Sequence, residues 1–185
     1  EATANLVKAM HDSGSVPAHL ICDHFFIKKY GLGLVYPGGI GLKKMLKAGY
    51  VISSPTIAGL AIEIGVDPKQ LEQTVAQVNR YAQEGVDPDF HKGENAADLA
   101  LGDPEHGPNP CLGKIEQGPF YAVQIFPGDG STMLGLRVNS SAQVLREDSE
   151  VPIPGLYACG LGMNVLWRGR EPSHGSYNAL SMTFG

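Results

Sequence analysis

Apolar positions recur along this chain at changing intervals, and the intervals predict which elements form. The clearest stretch is Leu71, Val75, Val78 and Ala82, which fall on one face of a helix. Asp67 suits its N-cap, Pro68 its first position, Gln70 the place of a capping-box partner, and Gly85 its end. Thr56 to Ile64 predicts another helix, capped by Ser54 or Thr56. Leu42 to Lys47 predicts a shorter one, and Ala2 to His11 a helix ended near Gly14. Leu20 to Ile27 has strand-like composition, and Tyr30 to Gly41 reads as glycine-rich loop.

Val86 to Gly118 is rich in Gly, Pro, Asp and Asn and reads as mostly loop; loops that long usually serve a site or a partner. Strand composition returns at Phe120 to Phe126. Leu134 to Val138 and Gln143 to Leu145 predict short strands around a turn at Asn139-Ser140, and Gly155 to Cys159 a final short buried strand. The chain then enters a helix that runs to Gly185. Helices, then a loop, then strands predict an α+β cap followed by strands of a different sheet. No internal repeat is apparent.

Composition narrows the class. In 185 residues, 43% are hydrophobic and 18% charged, which fits a globular domain and excludes a disordered tail. No apolar run approaches the roughly 20 residues of a membrane span. The net charge is −5, with basic residues read as scattered apart from Arg168 and Arg170; this lacks the basic stripe of a nucleic-acid binder. Cys22, Cys111 and Cys159 are odd in number and read as reduced cysteines of a cytoplasmic protein. His19, His24, His91 and His106 have no zinc-type spacing, so no metal is expected. Asn139-Ser140-Ser141 matches a glycosylation sequon, a triplet that chance often produces. With no initiator Met and no targeting segment, and with an end inside a predicted helix, the chain reads as a fragment.

Several segments in order carry a family resemblance. They are Thr56-x-x-x-Leu60-Ala61-x-x-Ile64-Gly65-Val66-Asp67-Pro68, Leu71-x-x-Thr74-Val75 with Asn79, and Gly85-x-Asp87-x-Asp89-Phe90. Gly102-Asp103-Pro104, Pro108-Asn109-Pro110, Pro119-Phe120-Tyr121-Ala122-Val123 and Pro127-Gly128 follow. Pro152-Ile153-Pro154-Gly155-Leu156-Tyr157-Ala158-Cys159-Gly160 closes the series. Together these resemble the 3-ketosteroid dehydrogenase and fumarate reductase group of FAD flavoproteins. The resemblance implies a substrate-covering cap over residues 1–126 and the C-terminal segment of an FAD-binding domain over 127–185. It also implies a glycine-rich dinucleotide-binding turn upstream of residue 1.

The family moves a hydride between flavin and a carbon near a carbonyl or carboxylate, while a protein side chain handles the proton. By resemblance Asn5 stands where the family has its proton donor; an amide can hydrogen-bond a carbonyl oxygen but cannot give up that proton. Ser131 stands where fumarate reductases have a substrate-binding histidine. Glu171 aligns with a ketone-binding tyrosine, and His174 lies near a substrate-clamping arginine. Histidine as a residue type titrates near neutral pH, which makes His174 the candidate acid or base. Gly175, Ser176, Asn178 and Ala179 begin a helix whose N-terminus points at the flavin in the family. Gly160 is placed against the FAD ribityl or pyrophosphate, with Leu161 where relatives usually carry Glu or Asn.

On a plainer reading, Asn5 is a surface helix residue, Ser131 lies in a Gly-Asp-Gly turn, Glu171 pairs with Arg168 or Arg170, and Ser176 caps a helix. The expected substrate is a small carbonyl compound, steroid-like among others, changed at a carbon–carbon bond beside the carbonyl. The alternative is a degenerate, non-catalytic flavoprotein relative that acts as a binding or interaction module.

Overall fold

A computed structural model describes residues 3–128, 134–164 and 175–185 and, within these, all side chains but those of 3–5 and 177. The chain forms two compact units, Glu1–Pro127 and Gly128–Gly185. Helix and strand are mixed in each.

The first unit opens with α1 (Thr3–Asp12), β1 (Ala18–Cys22), α2 (His24–Lys29) and α3 (Leu42–Lys47). It continues through β2 (Ile52–Ser54), α4 (Ile57–Ile64), α5 (Pro68–Glu84), α6 (Ala96–Leu101) and β3 (Phe120–Ile125). The three strands make an antiparallel sheet in the order β1-β3-β2. Side chains alternate across a strand, so the central β3 feeds two cores. Tyr121 and Val123 join Cys22, Ile27, Val35 and Val51 on one side. Phe120 and Ala122 meet Leu60 of α4 on the other, flanked by Ile21 and Ile52. Burial on both faces is why β3 opens on the apolar run Phe120–Val123, before the exposed Gln124.

Local signals fix the helices around this sheet. Thr56 Oγ1 accepts the Gly59 N–H at 3.0 Å, so Thr56 is the cap of α4. Ser54 is buried instead, with its hydroxyl where a Cβ on Gly59 would fall. Asp67 Oδ1 accepts the Gln70 N–H at 2.8 Å, and Gly85 ends α5 in the left-handed region at φ 74°. The Gln70 side chain does not complete a capping box; its Nε2 reaches Gln73 Oε1 at 3.4 Å. Val75, Tyr81 and Ala82 form the buried stripe of α5, while Leu71 and Val78 are half-buried.

The expected single strand over Leu20 to Ile27 is corrected: Asp23 divides the run into a strand and a helix. Its Oδ1 accepts the Phe26 N–H at 2.8 Å, which starts α2, and its Oδ2 accepts from Glu116 and Gln117 N–H at 3.1 Å each. A cap residue inside an apolar run thus overrides the run's strand propensity. β2 and α6 lie in stretches that were not expected to hold an element. β2 has three residues, too few for a periodic signal, and α6 is short and capped by Asn95.

The second unit contains β4 (Gln143–Leu145), β5 (Pro152–Tyr157) and α7 (Ser176–Phe184). β4 and β5 pair antiparallel. The expected strand at Leu134 to Val138 is present only as isolated bridges from Leu134 to Asn164, Leu136 to Met163 and Val138 to Val144. The expected buried strand over Gly155 to Cys159 is also corrected. β5 begins earlier, at Pro152, and Leu156 and Tyr157 are exposed, because β4 is its one partner among the described residues.

Candidate functional site

In the second unit β5 leads through Ala158 and Cys159 into a tight turn at Gly160–Gly162. Gly160 is buried at φ 57°, and a Cβ there would meet Ser181 Oγ of α7 at 2.5 Å. Glycine is therefore required by two independent facts, the left-handed backbone and the approach of the helix. Met163 and Leu180 form the small core beneath, with Val138, Ala158 and Phe184 against it. This packing fixes the turn relative to α7.

The N-terminus of α7 has a distinct character. Gly175 adopts φ 85°, and among the described residues a Cβ on it would meet nothing within 4 Å. Ser176 is buried, whereas Asn178 and Ala179 are exposed. Across the cap, the Ala179 N–H donates to the Gly175 carbonyl at 3.0 Å. The opening amides of any α-helix have no acceptor within the helix, and the dipole places positive potential there. Backbone donors at a helix N-terminus fit an electron-rich ring edge, such as the pyrimidine side of a flavin. Leu161, half-buried, offers no polar contact.

The structure brings Gly160 against α7, whose first turn carries Ser176, Asn178 and Ala179 with Gly175 as the cap. Asn5 lies in the first turn of α1, with its side chain outside the description. Ser131, Glu171 and His174 lie outside the described residues.

The first unit holds a cavity of about 460 Å³ between α5 and the segment that follows it, walled by Ile21, Phe26, Val78 and Leu112. Its polar corner is internally satisfied. Asp89 Oδ2 accepts from Gln77 Nε2 at 2.7 Å and from Tyr81 OH at 3.0 Å. These bonds hold the segment onto the helix, and sequence spacing gave no sign of them. Cys22, also on the cavity wall, is no nucleophile: burial, reinforced by the Asp23 carboxylate, pushes its thiol up to about 12. Among the described residues no group of His, Cys, Asp and Glu could hold a metal ion, and no helix is long and apolar enough to cross a membrane.

Residues 2–177 match the model of the FAD binding domain family. The chain belongs to that family. Within it, the chain is 38% identical over 171 residues to 3-oxosteroid 1-dehydrogenase of Mycolicibacterium smegmatis, covering 92% of this chain and 30% of that protein. It is equally 38% identical over 166 residues to 4-oxocyclohex-2-ene-1-carboxylate 5-dehydrogenase of Sinomonas cyclohexanicum, covering 90% of this chain and 28% of that one. Among solved structures, the 3-ketosteroid Δ1-dehydrogenase of Sterolibacterium denitrificans, in complex with 1,4-androstadiene-3,17-dione, superposes with a TM-score of 0.87 at 38% identity. That match covers 96% of this chain and 32% of that one. The chain thus spans about a third of the length of these relatives, as expected of a fragment.

Proposed function

We propose that the chain is part of an FAD-dependent dehydrogenase that removes two hydrogens from adjacent carbons beside a ketone. The observation that carries this reading is the 0.87 TM-score, at 38% identity over 96% of the chain, to a ketosteroid dehydrogenase. Residues 1–126 act as the cap over the substrate, and 127–185 contribute the C-terminal segment of the FAD-binding domain. The relatives' ring ketones make a cyclic ketone, steroidal or smaller, the substrate class.

When bound, FAD supplies the hydride acceptor. The chain's residues supply the rest. The opening amides of α7, entered through Gly175, stabilise negative charge on the pyrimidine side. Gly160 lets the backbone approach the cofactor. The Asn5 amide donates a hydrogen bond to the ketone oxygen, which polarises the carbonyl and acidifies the neighbouring carbon. His174 takes the proton from that carbon, with Ser131 and Glu171 facing the substrate.

The test uses the whole protein that carries this chain, loaded with FAD and kept anaerobic. Addition of a 3-ketosteroid or of a 4-oxocyclohexene carboxylate is expected to bleach the flavin absorbance. A flavin-loaded protein bleached by neither ketone would refute the dehydrogenase reading and favour the non-catalytic relative. His174→Ala is expected to slow bleaching by roughly 100-fold, the range of a lost general base. Flavin content should be unchanged, as measured by the ratio of flavin to protein absorbance.

A further inference from the structure

The turn at Gly160–Gly162 is held only loosely by its own bonds. Gly162 N–H donates to the Cys159 carbonyl at 3.2 Å and Met163 N–H to the Gly160 carbonyl at 3.4 Å, at and beyond the long end for such bonds. Its placement therefore depends on what grips it from either side. On one side is α7, with Ser181 beneath Gly160 and Leu180 against Met163. On the other is the segment 134–136, where Leu134 bridges Asn164 and Leu136 bridges Met163.

Gly135 sits between those two bridges. A Cβ on it would fall onto the Gly162 carbonyl group and within 2.7 Å of the Met163 carbonyl carbon. A glycine in a strand-like segment carries an entropic cost and marks a close approach of backbone. Here the approach lets Leu136 N–H donate to the Gly162 carbonyl at 2.8 Å and Asn164 N–H to the Leu136 carbonyl at 2.7 Å. The peptide between Gly162 and Met163 is planar and trans, so its C=O and N–H point in opposite directions. Holding that carbonyl toward Leu136 turns the N–H back to the Gly160 carbonyl, which closes the turn. These contacts are backbone packing inside one unit, and chain that covers the outside of the unit leaves them in place.

We propose that Gly135 is a positioning residue for FAD: its bare Cα admits the Gly162–Met163 peptide, and through that peptide it sets the turn at Gly160. The inference rests on the reading above in which Gly160 lets the backbone approach the cofactor. It adds that this approach is fixed from a segment remote in the chain that touches no cofactor itself. A backbone that meets a ligand closely must be held in place beforehand, since a turn free to shift spends binding energy on its own ordering. Any side chain at position 135 would push the Gly162–Met163 peptide away, release the Leu136 bond and leave the turn to its two long bonds.

The test takes the whole protein, stripped of flavin, and titrates it with FAD well below the thermal melt of each variant, with flavin fluorescence giving the Kd. Gly135→Ala and Gly160→Ala should each raise the Kd by about ten-fold, the loss of one hydrogen bond to a charged group. Leu145→Ala empties a buried position of β4 outside the core beneath the turn. It should lower the melt and leave the Kd unchanged. A second measurement needs no variant to fold. In the unaltered protein, hydrogen exchange at the Leu136 and Asn164 amides should slow on FAD binding more than at the Leu145 amide, because coupling between a contact and a ligand is reciprocal. Equal slowing at the three amides would overturn the inference, and so would a Kd raised as much by Leu145→Ala as by Gly135→Ala. A Kd raised by Gly160→Ala but not by Gly135→Ala would overturn it while sparing the placement of Gly160. An unchanged Kd for Gly160→Ala would sink that placement and this inference with it. The bleaching experiment reads turnover, so its failure leaves the binding result standing.

Discussion

Two glycines of the second unit separate a conformational requirement from a purely steric one. Gly160 needs its left-handed φ of 57°, and the atom nearest a new Cβ is the side-chain hydroxyl of Ser181, not backbone. Gly135 carries no such backbone requirement, but a Cβ there would overlap the backbone of Gly162 and come within 2.7 Å of the Met163 carbonyl carbon. That backbone is tied in place by the Leu136 N–H to Gly162 carbonyl bond at 2.8 Å and the Asn164 N–H to Leu136 carbonyl bond at 2.7 Å. Backbone cannot yield as a side chain does. Gly160→Ala is therefore expected to lower stability by about 1–3 kcal/mol, the scale of a left-handed L-residue plus a moved serine. Gly135→Ala should lower it by about 3 kcal/mol or more. Chemical denaturation of both variants checks the order, and an equal or reversed ranking would mean that the strand-like segment at 134–138 can shift. Gly160 stood out in the sequence because it ends a recognisable motif. Gly135 did not, because its neighbours at 162–163 are remote in the chain and only the fold brings them together.

At the scale of elements, what the sequence makes legible is what local chemistry specifies. α3, α4 and α5 follow from caps, glycine stops and apolar spacing, and β3 follows from the apolar run Phe120–Val123. The glycine- and proline-rich stretch after α5 reads as loop, but polar side chains reaching across it give it fixed structure. Asn79 on α5 brackets Ile115, donating to its carbonyl at 3.0 Å and accepting its N–H at 2.7 Å. Asn109 donates to the Gly85 and Lys92 carbonyls at 3.1 Å each. Such long-range bonds leave no periodic trace, which is why the order of this stretch was hidden. The same holds for the candidate site: the α7 entry was readable from Gly175 and Ser176, whereas the packing of Gly160 on Ser181 was not.

Asp103 fastens this stretch to α2, with Oδ2 accepting from Lys29 Nζ at 2.5 Å and Tyr30 OH at 2.6 Å. The Lys29 ammonium, then the Tyr30 hydroxyl, hold the Asp103 carboxyl well below the usual carboxylate range. An acid with a depressed folded pKa contributes stability that is complete above its ordinary value of about 3.9 and fades as the pH falls below it. Asp103→Asn should therefore lower the urea midpoint at neutral pH, and the gap to the parent should close as the pH drops below about 4. A gap unchanged in acid would mean that the amide's geometry, not the lost charge, causes the destabilisation.

For the whole molecule, the exposed surface of the second unit has to be weighed against the length of its relatives. Leu134, Leu136, Val151 and Tyr157 are each more than half exposed, and Met182 is 84% exposed. A small unit built on a two-stranded sheet is marginal by itself, since such a sheet leaves backbone groups and one face uncovered. The relatives are about three times as long as the stretch matched here, so they have chain enough to cover such a surface. The sequence also contains no Gly-x-Gly-x-x-Gly turn of the kind that grips a dinucleotide pyrophosphate. Both facts argue that flavin affinity belongs to the assembled protein and not to these residues by themselves. The 185-residue chain in isolation is expected to bind a hydrophobic dye strongly and to purify without stoichiometric flavin. Co-expression with the remaining portion of the protein should suppress dye binding and yield a yellow complex. Stoichiometric flavin absorbance from the isolated chain would show that the α7 entry and the Gly160 turn hold the cofactor unaided, and would move the affinity-determining contacts into this segment.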